Sequence, residues 1–164
     1  MPIHNGLIQR RLGVKGSVAH FNISIISFSG IRQPRSVVMK IIPGASRAFV
    51  PASHEDPSAP GVYKKILGAG VDFLQGRVRM INWALLPCGS SFRPHYHEDM
   101  QEVFVIMRGR VEINVDGQTA EMQSGDAVFI EPREVHVMRN CGDSDAEYLV
   151  VGISLDQGGK SVLV

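Results

Sequence analysis

Residues 89 to 109 read GSSFRPHYHEDMQEVFVIMRG, and this stretch decides the fold. His95 and His97 are two residues apart, so in an extended strand their side chains point to the same face. Glu102 follows after a short turn-like stretch and begins the next apolar run, from which its carboxylate can return to the same point. We therefore predict that these three side chains meet inside a β-rich structure.

The chain from Tyr63 onward consists of short apolar runs separated by Gly, Pro, Asn and Asp. Such a rhythm is typical of an all-β sandwich or barrel, and no segment has a helical stripe. The Asp116-Gly117 pair is the sequence signal of a tight hairpin. The predicted strands cover residues 77–86, 102–108, 110–115, 118–122, 127–130, 136–140 and 147–154.

His136 begins one of these strands, just after Pro132, a residue that suits the start of a strand. Three neutral imidazoles and one carboxylate are donors of intermediate softness, which suit Mn, Fe, Co, Ni or Zn. The residues therefore indicate one divalent transition metal ion, most simply Mn, Fe, Ni or Zn, in an open site inside a barrel. The plainer alternative is that these side chains contribute only packing and hydrogen bonds.

The pattern G-x5-H-x-H-x4-E-x6-G, from Gly89 to Gly109, resembles the first motif of the cupin superfamily without a mismatch. The resemblance covers about residues 77–154 and implies a double-stranded β-helix, the jelly-roll or cupin barrel. The N-terminal arm predicted before the barrel is not explained by the resemblance. It also implies that the family's metal ligands carry over to His95, His97, Glu102 and His136.

The second cupin motif is matched at Gly125, His136 and Asn140, but its middle departs from the family pattern. Glu131 stands where the family has proline, and Arg133 replaces a glycine. The spacing to His136 is unchanged. We expect the turn before this histidine to differ from the turn in the family, and the motif glycines to form turns that need positive φ.

Four residues are predicted to line a substrate pocket. Strand alternation places Phe104 and Met138 on the same face as the metal-ligand candidates, although simple core filling is the alternative for both. Arg93 and Gln101 neighbour the ligand-bearing segment and can hold a polar substrate, although solvated surface is the alternative for both.

Residues 1–62 are predicted to be an N-terminal arm and linker that can add strands to the barrel, and residues 63–164 to be the barrel domain. Within the arm, residues 21–28 favour β-structure and residues 43–61 are rich in Pro, Gly and Ser. His4, His20 and His54 lie in this part of the chain and are not predicted as ligands.

The charge balance excludes some partners. Lys and Arg number 17 against 16 Asp and Glu, a formal charge of +1, so neither nucleic acid nor an anionic membrane is an expected partner. Two cysteines, Cys88 and Cys141, are too few for a disulfide scaffold, which favours the reducing cytoplasm. The run EVFVIM, residues 102–107, is apolar on both faces and favours a homodimer.

We expect either of two functions. In the first, a metal-dependent enzyme acts on a small polar molecule such as a sugar, a sugar phosphate or an organic acid. The cupin resemblance implies isomerases, decarboxylases and dioxygenases, and does not choose among them. In the alternative, the same barrel binds or senses a small ligand or a metal without turnover.

Overall fold

The computed structural model describes residues 39–74, 76–154 and 159–164, and Lys40–Val164 forms one compact unit. This part of the chain is almost entirely β-structure, with two short 3-10 helices at Gly44–Ser46 and Gly70–Asp72. Its strands are β1 (Val50–Pro51), β2 (Tyr63–Ala69), β3 (Val78–Leu86), β4 (His95–His97), β5 (Met100–Arg108), β6 (Arg110–Val115), β7 (Gln118–Gln123), β8 (Ala127–Ile130), β9 (His136–Asn140), β10 (Ala146–Ser154) and β11 (Ser161–Leu163).

The strands form two antiparallel sheets. One sheet has the order β1-β2-β3-β10-β5-β8 and the other the order β11-β4-β9-β6-β7. Side chains from both sheets join in one buried hydrophobic cluster, which includes Leu86, Ile106, Val111 and Met138. The predicted all-β jelly-roll fold is therefore confirmed.

Alternating burial explains why these segments are strands. In β5 and β10 every second side chain is buried, as expected where one face of a strand fills the core. All seven predicted strands are present, with ends within two residues of the prediction. The predicted strands did not include β1, β2, β4 and β11, although the His95-His97 spacing was interpreted as extended chain. The β2 sequence, YKKILGA, carries two lysines and a glycine, and β11 has three residues, so neither shows a clear alternation.

The turns follow the sequence signals. Asp116 (φ 47°) and Gly117 (φ 83°) form the predicted tight hairpin between β6 and β7. The motif glycines Gly89, Gly109 and Gly125 all have positive φ, as predicted. At Gly109 the approach is also close, because a Cβ atom there would lie 2.8 Å from Ala146.

Some expectations fall on parts of the chain that the structure does not describe. Residues 21–28, His4 and His20 lie outside the described residues, and the division of the chain at residue 62 stays a prediction. Among the described residues, no helix has the length and apolar character that a membrane span requires.

Candidate metal centre

Three strands from the two facing sheets bring the four predicted metal-ligand residues to one point inside the barrel. His95 and His97 lie on β4, Glu102 on β5 and His136 on β9, where His136 pairs directly with His95. One donor atom from each side chain lies within 4.8 Å of the others, and all four side chains are buried. The H-x-H spacing therefore places both imidazoles on the inner face, as the strand geometry requires.

Backbone carbonyls orient two of the imidazoles. His95 Nδ1 lies 2.8 Å from the carbonyl oxygen of Arg93, and His136 Nδ1 lies 3.0 Å from that of Glu134. A carbonyl oxygen can only accept a hydrogen bond, so Nδ1 is the donor in both rings. In the neutral imidazole Nε2 then keeps its lone pair, which is the form that ligates a metal.

The hairpin turn between β6 and β7 holds the start of β9. The backbone N–H of Asp116 donates to the Val135 carbonyl at 2.9 Å, and the Val135 N–H donates to Asp116 Oδ1 at 2.9 Å. Both bonds act on the residue just before His136. The Asp-Gly turn therefore helps to fix the place where this imidazole enters the cluster.

The donor set fits a divalent cation. Glu102 Oε2 lies 3.3 Å from His97 Nε2 and 3.2 Å from His136 Nε2. All three atoms are buried without a hydrogen-bond partner among the described residues. A carboxylate lone pair that faces the lone pair of a neutral imidazole is repelled unless a cation lies between them. Buried polar atoms without partners are rare in proteins, and here they converge on one point.

The electrostatics of the cluster follow from burial and from mutual contact. Burial raises the pKa of Glu102, but its contacts with His136 and His97 outweigh burial and hold the pKa below its ordinary value. Burial lowers the pKa of His97, but the contact with Glu102 raises it by more than burial lowers it. The pKa of His97 is therefore above its ordinary value of 6.5. For His95, burial and the neighbouring His136 lower the pKa to about 4.

A small cavity of about 60 Å³ opens beside the cluster. This is about four to six times the space that one water molecule needs. Glu102, His95 and His97 form part of its wall, together with apolar side chains that include Phe92, Phe104, Tyr148 and Val150. The site is therefore a metal-type cluster at the wall of a cavity for a small molecule.

The residues predicted to line a substrate pocket are scattered. Phe104 lines the cavity, whereas Met138 is fully buried in the core cluster. Arg93 is exposed, and Gln101 donates from Nε2 to Glu131 Oε1 at 2.6 Å. Neither of these polar residues belongs to the cavity wall. A role in ligand binding stays a prediction for all four.

The segment before β2 and the start of β2 add residues that the sequence did not indicate. The His54 ring stacks on His95 with 3.9 Å between ring centroids, and both His54 and Lys64 line the cavity. Burial and the neighbouring His95 lower the pKa of His54 to about 3, so this ring is neutral near pH 7. Glu55 holds the segment in place, because it accepts hydrogen bonds from the backbone N–H groups of Gly61 and Arg93.

The fold and the buried His-His-Glu-His cluster together define the class of protein: a small β-barrel with a candidate metal site. Residues 82–152 of this chain match the family model described as Cupin domain. The chain is 32% identical over 82 residues to the oxalate-binding protein of Thermotoga maritima, a match that covers 50% of this chain and 68% of that protein. The chain therefore belongs to the cupin superfamily.

Two solved structures have the same fold. One is described as a predicted oxalate decarboxylase from Thermotoga maritima, with a TM-score of 0.63 and 26% identity over 71% of this chain and 100% of that chain. The other is the polyketide cyclase RemF from Streptomyces resistomycificus, with a TM-score of 0.62 and 19% identity over 77% of this chain and 86% of that one. The second likeness concerns the fold alone.

Proposed function

We propose that the chain is a metal-dependent cupin that acts on a small organic acid. The observation that carries the proposal is the buried cluster of His95, His97, Glu102 and His136 at the wall of a small cavity. These four side chains would hold one divalent ion, with Mn, Fe, Ni and Zn as the candidates. When bound, such an ion acts as a Lewis acid that polarises a carbonyl or carboxylate oxygen of the ligand.

The size of the cavity supports an organic acid rather than a sugar or a sugar phosphate. About 60 Å³ accommodates a molecule of a few non-hydrogen atoms. A relative that covers half of this chain is named for oxalate, and the solved structure with 26% identity is described as a predicted decarboxylase of the same acid. Oxalate is therefore the first ligand to test.

The second candidate function is binding of the same acid without turnover. The carboxylates nearest to the ligands in the sequence, Glu98, Asp99 and Glu131, do not line the cavity. Glu98 pairs with Arg133, and Asp99 accepts a hydrogen bond from Ser154. Among the described residues, Glu102 is the one carboxylate in the cavity wall, and the cluster already uses it.

Incubation with ¹³C-labelled oxalate separates the two functions. The wild-type protein is compared in its metal-loaded and metal-free forms, with binding measured by calorimetry and products by NMR. We expect oxalate binding that requires the metal. Release of new labelled species then supports the enzyme, and unchanged oxalate supports the binding protein. If the loaded protein neither binds nor converts oxalate, the proposed ligand class is wrong.

We also propose a homodimer through the outer face of the six-stranded sheet. Strand register places apolar side chains side by side on this face, and Phe129 at its edge is 63% exposed. A continuous apolar face of this kind is typical of an interaction surface. Phe129→Lys should convert the dimer to a monomer in analytical ultracentrifugation, and a wild-type monomer would contradict the proposal. The apolar residues of the face are Ile81, Val103, Val105, Met107, Phe129, Leu149 and Val151.

A cytoplasmic location is proposed as well. Cys88 is exposed and Cys141 half-buried, and both are free thiols. Free thiols persist in a reducing compartment, which supports this location.

A further inference from the structure

Lys64 is a basic residue on the inner face of the barrel wall. It lies on β2 and pairs with Ala84 of β3, whose side chain is buried in the core cluster. Residues directly opposite each other in an antiparallel pair project to the same face of the sheet. Lys64 therefore projects inward, and it forms part of the wall of the cavity beside the metal-type cluster.

The ammonium group of Lys64 has little compensation in the protein. Its Nζ donates to the Ser53 hydroxyl at 3.4 Å, and it belongs to none of the ion pairs found among the described residues. Burial lowers the pKa of Lys64, and the Glu102 carboxylate acts in the opposite direction. A partly buried ammonium without a contacting carboxylate is stabilised by an anion brought by a ligand.

We propose that Lys64 binds the far carboxylate of a short two-ended organic anion whose near end lies at the His95, His97, Glu102 and His136 cluster. This inference rests on the proposed function and narrows the ligand class from small organic acids to short dicarboxylates and their close analogues. A cavity of about 60 Å³ admits a molecule of this size. Lys64 and the four-residue cluster then offer one binding site for each oxygen-bearing end of the molecule.

The proposed role of Lys64 does not follow from the family match. Lys64 lies outside residues 82–152, the part that matches the Cupin domain model. Glu55 holds the residues just before β2 against the barrel, through hydrogen bonds from the backbone N–H groups of Gly61 and Arg93. Lys64 is therefore a specificity-determining residue that β2 contributes from outside the matched residues.

Lys65 provides a matched control. It is the next residue in β2 but lies on the opposite face, paired with Trp83, where its Nζ donates to the Gly44 carbonyl at 3.1 Å. Its Nζ also lies 4.4 Å from the centroid of the Phe49 ring. Lys64→Met and Lys65→Met therefore remove the same charge from the same strand, one inside the cavity and one outside it.

The test measures the affinity of the metal-loaded protein for oxalate and for acetate by calorimetry, with metal content determined by elemental analysis. We expect Lys64→Met to weaken oxalate binding about tenfold or more, because a charged partner is lost, and to change acetate binding less than about twofold. Lys64→Arg should retain most of the oxalate affinity. Lys65→Met should bind oxalate and acetate as tightly as the wild type does. All three variants should contain as much metal as the wild type.

Three results would overturn the inference. These are an oxalate affinity that Lys64→Met leaves unchanged, equal loss of oxalate and acetate binding in that variant, and loss of metal from it. In the first two cases the metal-dependent function stands and only the role of Lys64 fails. Equal oxalate affinity of the metal-free and metal-loaded wild type would instead contradict the proposed function, whatever Lys64→Met does.

Discussion

Glu102 sets the electrostatics of the centre at the scale of single residues. It is 4% exposed, and its Oε2 atom faces the Nε2 atoms of His97 and His136 within 3.3 Å. Removing a charged carboxylate from water is costly unless a cation compensates it. A proton on His97 is one such cation, and the Glu102 carboxylate raises the pKa of that imidazole above its ordinary value despite burial. A divalent ion and this proton therefore compete for the same place.

This competition predicts a pH dependence of metal binding. Affinity should rise as pH increases, and keep rising above the ordinary histidine pKa, because His97 has a raised pKa and must lose its proton before it can act as a ligand. His95, with a pKa of about 4, is already neutral at such pH values. Chelator competition at several pH values measures the dependence. Glu102→Gln should flatten it while weakening binding, whereas a wild-type affinity that does not change with pH would contradict this account.

Asn140, from the second cupin motif, is a structural residue in this chain. Its side chain is 1% exposed, donates to the carbonyls of Leu86 and Ser144, and accepts from the N–H of Gly142. It lies outside the cavity wall. These bonds tie the end of β9 to the turn that follows.

We predict that Asn140→Ala lowers the free energy of unfolding by about 2 to 4 kcal/mol, because it leaves buried backbone groups without partners. Metal content should stay as in the wild type. Urea denaturation measures the change, with the exposed residue Gln118 as the control: Gln118→Ala should cost less than about 0.5 kcal/mol. An Asn140→Ala protein as stable as the control would show that the network contributes little.

Local sequence reasoning succeeded where a short motif determines position, and it failed where distant residues converge. The spacing of His95 and His97 was enough to predict that both imidazoles share one face, since strand geometry fixes it. Glu102 joins them from a strand of the other sheet. Lys64 reaches the cavity through the pairing of β2 with β3, a contact between segments about twenty residues apart. His54 reaches it from the turn before β2, where its ring stacks on His95. No local pattern encodes either contact.

The turn before β9 is the element in which this chain departs from the cupin pattern. Arg133 occupies the family's glycine position and has φ of 73°, a conformation that L-residues rarely adopt. Its N–H donates to the His97 carbonyl at 2.7 Å, so the turn stays tied to the centre despite the substitution. Its ion pair with Glu98 is exposed and contributes little.

Two substitutions at this turn separate conformational strain from side-chain chemistry. We predict that Arg133→Gly leaves stability unchanged or raises it by up to about 1 kcal/mol, because glycine adopts positive φ without strain. Arg133→Val should lower it by about 1 kcal/mol or more, since a β-branched residue is disfavoured there. Thermal denaturation of both variants measures the difference. If Arg133→Val is the more stable of the two, strain does not govern this turn.

The strands also differ in how far the sequence determined them. In β5 and β10 buried side chains alternate with more exposed ones. Both strands are rich in Val, Ile and aromatic residues, which predicts a strand without a structure, although residues 102–107 are apolar on both faces. The three residues of β11 form a strand because they pair with β4, where Ser161 lies opposite His97. Such a short segment acquires its conformation from its partner, so its own sequence carries too little information to predict it.

At the scale of the whole molecule, two parts of the chain build the centre. Strands β4, β5 and β9 supply the four clustered side chains, whereas the turn before β2 adds His54 and β2 itself adds Lys64 to the cavity wall. The barrel alone could be predicted from its motifs. The contribution of the preceding segment could not, because it depends on how a loop rich in Pro and Gly folds back onto the barrel.

The central claim is that the cluster of His95, His97, Glu102 and His136 holds one divalent metal ion. Elemental analysis of untagged protein, purified without chelator, tests it most directly when the wild type is compared with His136→Ala and His54→Ala. His54 is the matched control, because its ring stacks on His95 but belongs to no donor cluster. We predict about one equivalent of metal in the wild type and in His54→Ala, and almost none in His136→Ala. Full metal content in His136→Ala, or none in the wild type after reconstitution, would contradict the account.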